Sequence, residues 1–224
     1  DVCSSDLAGF WMLLALWVQS HELAASDPRR RRALYLIAFL CTGLALLSKL
    51  SAVSFFLVLG LHRVFHPYLD GTRHPGAPLP LARTLRQVAP RIAPHAVVSV
   101  LWLVWYRSIV LKYGVIGGLG TGALDPEHIL NLIRFTPLVI GQYLEHLAWP
   151  TQLSAFYRGP HVEIPLNATE LLSSAAIAVA LLCATLYCCR RRRDLAFYLL
   201  TFYALLVPHL NFVYVGFWLA DRYL

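Results

Sequence analysis

From Ala33 to Leu61 the chain carries a single charge, Lys49, and this apolar run is bracketed by Arg29-Arg30-Arg31-Arg32 before it and by a basic linker after it. One straight helix of that length, at about 1.5 Å per residue, overshoots a hydrocarbon core of about 30 Å and leaves Lys49 near its middle. A charge at that depth costs about 2.5–3.5 kcal/mol, and basic segments at both ends prefer the same side of a membrane. A helical hairpin turning at Ser48-Lys49-Leu50-Ser51 meets both constraints, although each arm is then short of an ideal span. The rest of the topology follows from this turn.

The composition supports a membrane protein: 58% of the 224 residues are hydrophobic and 14% are charged, with a mean hydropathy of +0.59. A soluble domain needs more charge to cover its surface. The formal net charge of +7 does not point to nucleic acid, because the arginines cluster in short runs beside apolar segments, as the positive-inside rule expects. Membrane lipids are therefore the expected surroundings. Cys41, Cys183, Cys188 and Cys189 fall in or at the ends of apolar helices without C-x-x-C spacing. They indicate small apolar helix residues rather than a zinc site or a disulfide framework.

Residues 1–7, Asp1-Val2-Cys3-Ser4-Ser5-Asp6-Leu7, read as the in-frame translation of a sequencing adapter and are set apart from fold reasoning. Residues 8–224 are then expected to be a central fragment of a larger polytopic protein. Ala8–Leu23 reads as the end of a first membrane helix with polar Gln19, His21 and Glu22 at its exit. After the hairpin, His66–Pro94 contains six prolines and Arg73, Arg83, Arg86 and Arg91, which predicts a cytoplasmic linker with a short surface helix near Leu81–Val88. Pro94–Leu111 is the next span. Gly114–Gly122 is glycine-rich but lacks the Lys-Ser/Thr of a phosphate loop, so it reads as an extracytoplasmic loop.

Asp125-Pro126-Glu127 is a helix start, with Asp as cap and Pro at the first helical position. The helix it opens runs to Ala148 with polar residues on one face and a kink at Pro137, and it either lies along the outer surface or turns its polar stripe to a cavity. Topology favours the surface. Asn167 fits a glycosylation sequon but, with Glu170 three residues on, is read as a helix cap. Ala168–Cys189 ends in Arg190-Arg191-Arg192-Arg193 and returns to the cytoplasmic side, and a last span from Leu195 to about Phe217 is broken at Pro208. The fold class predicted is thus all-α, a polytopic transmembrane helix bundle of about six spans plus one amphipathic helix. Its expected location is a bacterial inner membrane or the endoplasmic reticulum, with His66–Pro94 and Arg190–Arg193 cytoplasmic.

This topology gathers Lys49, Arg107, Lys112, Asp125, Arg134, Glu145, His146, Arg158, Asp221 and Arg222 at the outer surface. Cations there run against the positive-inside bias and call for an anionic ligand such as a lipid phosphate, with Lys49 as a point charge and Arg222 as a bidentate donor. Snorkelling, or pairing with Asp221 or Glu145, is the competing account of each cation. No metal constellation and no nucleophile-base pair is recognisable, and His21, His62 and His209 read as structural or interfacial.

Three stretches carry a family resemblance: Leu46-Leu47-Ser48-Lys49, the block from Tyr143-Leu144-Glu145-His146 through Trp149-Pro150 to Phe156-Tyr157, and the ending Ala220-Asp221-Arg222-Tyr223-Leu224. In order and spacing the chain resembles the multi-pass GT-C type glycosyltransferases, in particular transmembrane O-mannosyltransferases with tetratricopeptide repeats and their bacterial relatives. Lys49 is followed by Leu50 where relatives often carry Glu or Pro. The resemblance implies an incomplete GT-C-like membrane domain that transfers a sugar, with inversion, from a polyprenyl-phosphate donor to an extracytoplasmic protein or glycan acceptor. No cofactor or metal is implied. It assigns Lys49 and Arg222 to the donor phosphate, and Asp125, Glu145, Tyr157 and Asp221 to substrate contacts. The catalytic carboxylates would lie upstream, leaving this fragment inactive alone. A transporter or lipid flippase, suggested by the break at Pro208, and a structural membrane subunit are the rival readings.

Overall fold

The structure is a computed structural model that describes residues 2–74, 76–113, 130, 133–134, 136–138, 140–141, 143–144 and 168–209. All regular structure among the described residues is helical. The longer helices are α1 (Val2–Ala24), α2 (Pro28–Ser48), α3 (Phe55–Leu69), α4 (Leu81–Tyr113), α5 (Ala168–Arg191) and α6 (Arg193–Leu206). Two 3-10 turns, Leu50–Ser54 and Val207–His209, complete the set. The chain divides into two compact units, residues 1–108 with 185–207 and residues 109–184 with 208–224.

In the first unit α1 and α2 form an antiparallel pair joined through Asp27. Its carboxylate caps α2 by accepting from the backbone N–H of Arg29 at 3.0 Å and of Arg30 at 3.3 Å, and Pro28 occupies the first turn. Such a cap is worth about 1 kcal/mol and frees no donor that the next turn needs. Close approach comes from small residues. Ala8 and Ala15 on α1, and Ala38, Cys41 and Ala45 on α2, are all buried. The spacing is the small-residue stripe that lets helices pack where lipid offers no hydrophobic drive.

α2 ends at Ser48, and Lys49 takes an extended conformation (φ −155°, ψ 137°) before the 3-10 turn. The chain reverses there. Contacts of Gln19 with Leu59 and of Ser20 with His62 set α3 parallel to α1, while Tyr35 with Arg91 and Thr42 with His95 set α4 parallel to α2. α6 runs back along α3, with Ala196 and Phe197 packed on Val64, Phe65 and Tyr68 and Ala204 in the cluster with Phe55 and Val58. Consequently Arg29–Arg32, the loop after α3, the start of α4 and Arg190–Arg193 all gather at one end of this unit, and Lys49 lies at the other.

The hairpin expected from the position of Lys49 is therefore present, but the linker is shorter than expected. α3 continues to Leu69, and the predicted surface helix and the next span are one helix, α4, unbroken through Pro90 and Pro94. Within His66–Pro94 the described non-helical residues are 70–74 and 76–80. An interior proline costs a helix about 3 kcal/mol. Here tertiary contacts offset it: Ile92 and Val88 pack against the core, and the Tyr35 hydroxyl donates to the Arg91 carbonyl at 3.0 Å between the two prolines.

Four helices among the described residues are long and apolar enough to cross a membrane: Pro28–Ser48, Ser51–Leu69, Thr84–Tyr106 and Leu171–Arg191. That is fewer than the six expected. α6 has only 14 residues before the 3-10 turn that contains Pro208, and the remainder of the expected last span, from 210 onward, lies outside the described residues. The outer faces are apolar, with Leu36, Leu40, Leu44 and Leu47 exposed along α2 and Leu171, Leu172, Val179, Leu182 and Leu186 along α5. Water does not favour such faces and hydrocarbon does, so the chain is a membrane-embedded, multi-pass helical protein.

In the second unit, the described residues between 130 and 144 are helical, as the capping signal at Asp125 predicts. Tyr143 is buried, whereas Ile133 is 65% exposed. The Ser174 hydroxyl on α5 donates to the Arg134 carbonyl at 2.6 Å. A methyl on Gly141 would meet Ile177 Cδ1 at 2.9 Å, so glycine sets this approach.

Enlarging the α1–α2 contact should be costly where enlarging the outer face is not. Ala45→Leu is expected to destabilise by about 1–3 kcal/mol through overpacking, while Leu40→Ala, at a 64% exposed site, should shift thermal unfolding in detergent little.

Candidate functional site

Of the residues assigned by sequence to donor and substrate, only Lys49 is described. Arg222, Asp125, Glu145, Tyr157 and Asp221 lie outside the described residues, as do His146 and Arg158. Lys49 sits half-buried between two helix ends. Its N–H bonds the Ala45 carbonyl at 3.0 Å and its own carbonyl accepts from Ala52 at 3.1 Å, which fixes the backbone on both sides of the turn. Its ammonium donates to the Ser5 hydroxyl near the start of α1, a residue within the segment 1–7 set apart on sequence. Trp11 and Trp102 flank the apolar floor of Ala45, Leu46 and Ala52 beneath it. A fixed cation over an aromatic-edged apolar floor can hold an anion whose tail enters the hydrocarbon.

The opposite end holds a polar assembly that sequence reasoning did not single out. Glu22 on α1 pairs with Arg63 on α3, both side chains buried at 1% and 8% exposure. One turn earlier the Gln19 amide donates to the Leu59 carbonyl at 3.2 Å and presents its oxygen to His62 Nδ1 at 3.1 Å. His62 Nε2 faces the Ser20 hydroxyl at 3.3 Å. Both ring nitrogens thus have partners, and the imidazole locks α1 to α3. His66 and Asp70 extend the polar face of α3 toward the loop at 3.2 Å.

Tyr35 on α2 lies between the guanidinium groups of Arg63 at 6.0 Å and Arg91 at 5.8 Å from its ring centroid. His95 is buried against Tyr35 and Phe39, with Nδ1 3.1 Å from the Thr42 hydroxyl. His62, read from the sequence as structural or interfacial, joins α1 to α3. The signal for the wider assembly was the recurrence of Gln19 with Glu22 and of His62, Arg63 and His66 within otherwise apolar helices, where a polar group is retained only with a partner. His21, by contrast, is exposed and edge-on to Trp17 at 4.3 Å.

Among the described residues no group of His, Cys, Asp or Glu is arranged to hold a metal. Cys41 is buried, and Cys183, Cys188 and Cys189 are free thiols. An open depression of about 400 Å³ is lined by Arg73, Ala77, Pro78, Leu79 and Pro80 at the basic end. No family model, curated protein or solved structure matches the chain.

Removing one member of the buried pair should cost far more than removing both. Glu22→Gln leaves Arg63 buried and unpaired, with an expected loss of about 3–5 kcal/mol, while Glu22→Gln with Arg63→Met should recover most of it. Thermal unfolding of the purified variants in detergent distinguishes this from an exposed ion pair, whose loss costs about 1 kcal/mol or less.

Proposed function

We propose that the chain is a central part of a GT-C-like membrane glycosyltransferase, transferring a sugar from a polyprenyl-phosphate donor to an extracytoplasmic acceptor. The observation that carries this reading is the position of Lys49: a cation fixed in a helix turn about 30 Å, by helix length, from the arginine-rich end. Charge bias places basic residues on the cytoplasmic side, so a lysine retained at the far end has a ligand to meet. The order of the Leu-Ser-Lys turn, the Tyr143–Tyr157 block and the Ala-Asp-Arg ending supports a lipid-linked donor as that ligand.

In this reading Lys49 and Arg222 neutralise the donor phosphate, whose departure as the leaving group needs a positive environment. Asp125, Glu145 and Tyr157 line the acceptor side, and Asp221 contacts substrate. The Arg29–Arg32 and Arg190–Arg193 runs and the Asp70–Pro80 loop are cytoplasmic. A transporter or lipid flippase is the second reading, favoured by one feature: α6 stops at Leu206 in a 3-10 turn around Pro208, the kind of interruption that lines a substrate path.

In the complete reading frame, Lys49→Ala or Arg222→Ala should reduce sugar transfer from a polyprenyl-phosphate donor at least 100-fold, about 2.7 kcal/mol, with membrane insertion intact. Transfer at the parental level in both variants would refute the assignment. Loss of donor-independent lipid translocation in the same variants would favour the flippase.

A further inference from the structure

Arg193 opens α6 and is buried at 9% exposure. Its guanidinium lies 5.4 Å over the ring of Tyr68, yet Nε and Nη1 are enclosed and have no acceptor among the described residues. A buried guanidinium without an anion is costly, because one ring face does not replace the lost hydration. The adjacent carboxylate is engaged elsewhere, Asp194 pairing with Arg192 at 2.9 Å, and Asp70 in the loop accepts from the Thr72 N–H and hydroxyl at 3.0 and 2.8 Å.

The same Tyr68 ties Arg193 to the depression in the loop after α3, since its hydroxyl donates toward the Ala77 and Pro78 carbonyls at 3.4 and 3.3 Å. Ala77 and Pro78 line that depression with Arg73. Gly76 lies against the Arg191 carbonyl at the end of α5, a methyl there reaching it at 4.0 Å. Arg73, Arg190 and Arg191 are exposed around it. Two apolar spans, Ser51–Leu69 and Leu171–Arg191, end at this place, so the depression opens at the depth where a bilayer presents its headgroups.

We propose that loop residues 70–74 and 76–80 and the Arg190–Arg193 run form a binding site for the phosphate of an anionic lipid headgroup, with Arg193 as the inner ligand and Arg73 as the outer one. Guanidinium groups suit phosphate because they donate in a planar fork. The site lies at the end of the bundle remote from Lys49 and does not depend on the glycosyltransferase reading. The loop carbonyls held by Tyr68 make its wall, so occupancy couples the lipid to the α3–α6 contact.

The test is thermal unfolding of the whole chain in a neutral detergent, titrated with dioleoylphosphatidylglycerol, dioleoylphosphatidylcholine or inorganic phosphate. Phosphatidylglycerol should raise the midpoint by about 4 °C or more at saturation, and phosphatidylcholine should not. Arg73→Gln, at an exposed position, should weaken the apparent affinity about tenfold without changing the lipid-free midpoint. Arg193→Met should match or exceed the parental midpoint without lipid and lose the response; if it does not fold, Arg73→Gln alone decides. A full response to inorganic phosphate would keep the phosphate site and make a free anion its occupant. Equal shifts with both lipids, or an unchanged phosphatidylglycerol response in Arg73→Gln, would overturn the proposal.

Discussion

The placement of one charge governs the fold. Lys49 interrupts an apolar run long enough to cross a membrane and return, and an ammonium is tolerated only where water or a partner reaches it. The chain therefore leaves the helix at Ser48, extends through one residue and re-enters by a 3-10 turn. Because α2 and α3 then point in opposite directions, their outer ends meet the arginine-rich segments on one side. The same alternation brings the start of α4 and the α5–α6 junction to that side. Four basic segments separated in sequence thus share one end of the first unit.

Gathering so much charge at one end creates a problem of its own, and the buried polar groups answer it by pairing across helices. Glu22 meets Arg63, Gln19 and Ser20 hold His62, and Thr42 holds His95. Each contact joins two helices whose apolar faces alone leave their rotation and axial register weakly fixed. Small residues at Ala15, Cys41 and Ala45 allow the approach, and the polar pairs select one register within it. At the Lys49 end the interior is apolar, with Ala45, Leu46 and Ala52 beneath Trp11 and Trp102. The two ends therefore differ in kind: one is fixed by paired charge, and the other presents a lone turn over hydrocarbon-like packing.

Much of this was legible in the sequence. The hairpin followed from Lys49 and its flanking arginines, the α5 boundary from the Arg190–Arg193 run, and the interruption of the helix at the Val207–His209 turn from Pro208, because charge and proline act locally and leave direct marks. The extent of α4 did not follow. Pro90 and Pro94 each argue for a boundary, and the contacts that keep the helix intact come from Tyr35, 56 residues away. The Glu22–Arg63 pair was hidden for the same reason, since its members are 41 residues apart and each alone reads as a helix-end polar residue. For the sites, the sequence named Lys49 as the centre of interest but gave no sign of Arg193, which looks like one member of a solvated run. Burial of one of four consecutive arginines depends on where α5 stops and α6 begins, a tertiary fact.

Arg193 also shows how a membrane protein differs from a soluble one in reading its own surface. In water, a helix junction bearing four arginines would extend all of them into solvent. Here the break at Arg192 (φ −137°, ψ 69°) turns the fourth inward over Tyr68, while Arg192 pairs with Asp194 on the exposed side. That pairing holds the Asp194 carboxyl below its usual pKa, the Arg192 hydrogen bond being the largest cause, so Asp194 stays ionised and committed to Arg192 at neutral pH. Among the described residues, Arg193 is left with an aromatic face and no carboxylate. Among the described residues this inward cation meets no protein anion, at the level where two apolar spans end, and the lipid phosphate proposed above would complete it. The bilayer surface is where the nearest such anions are found.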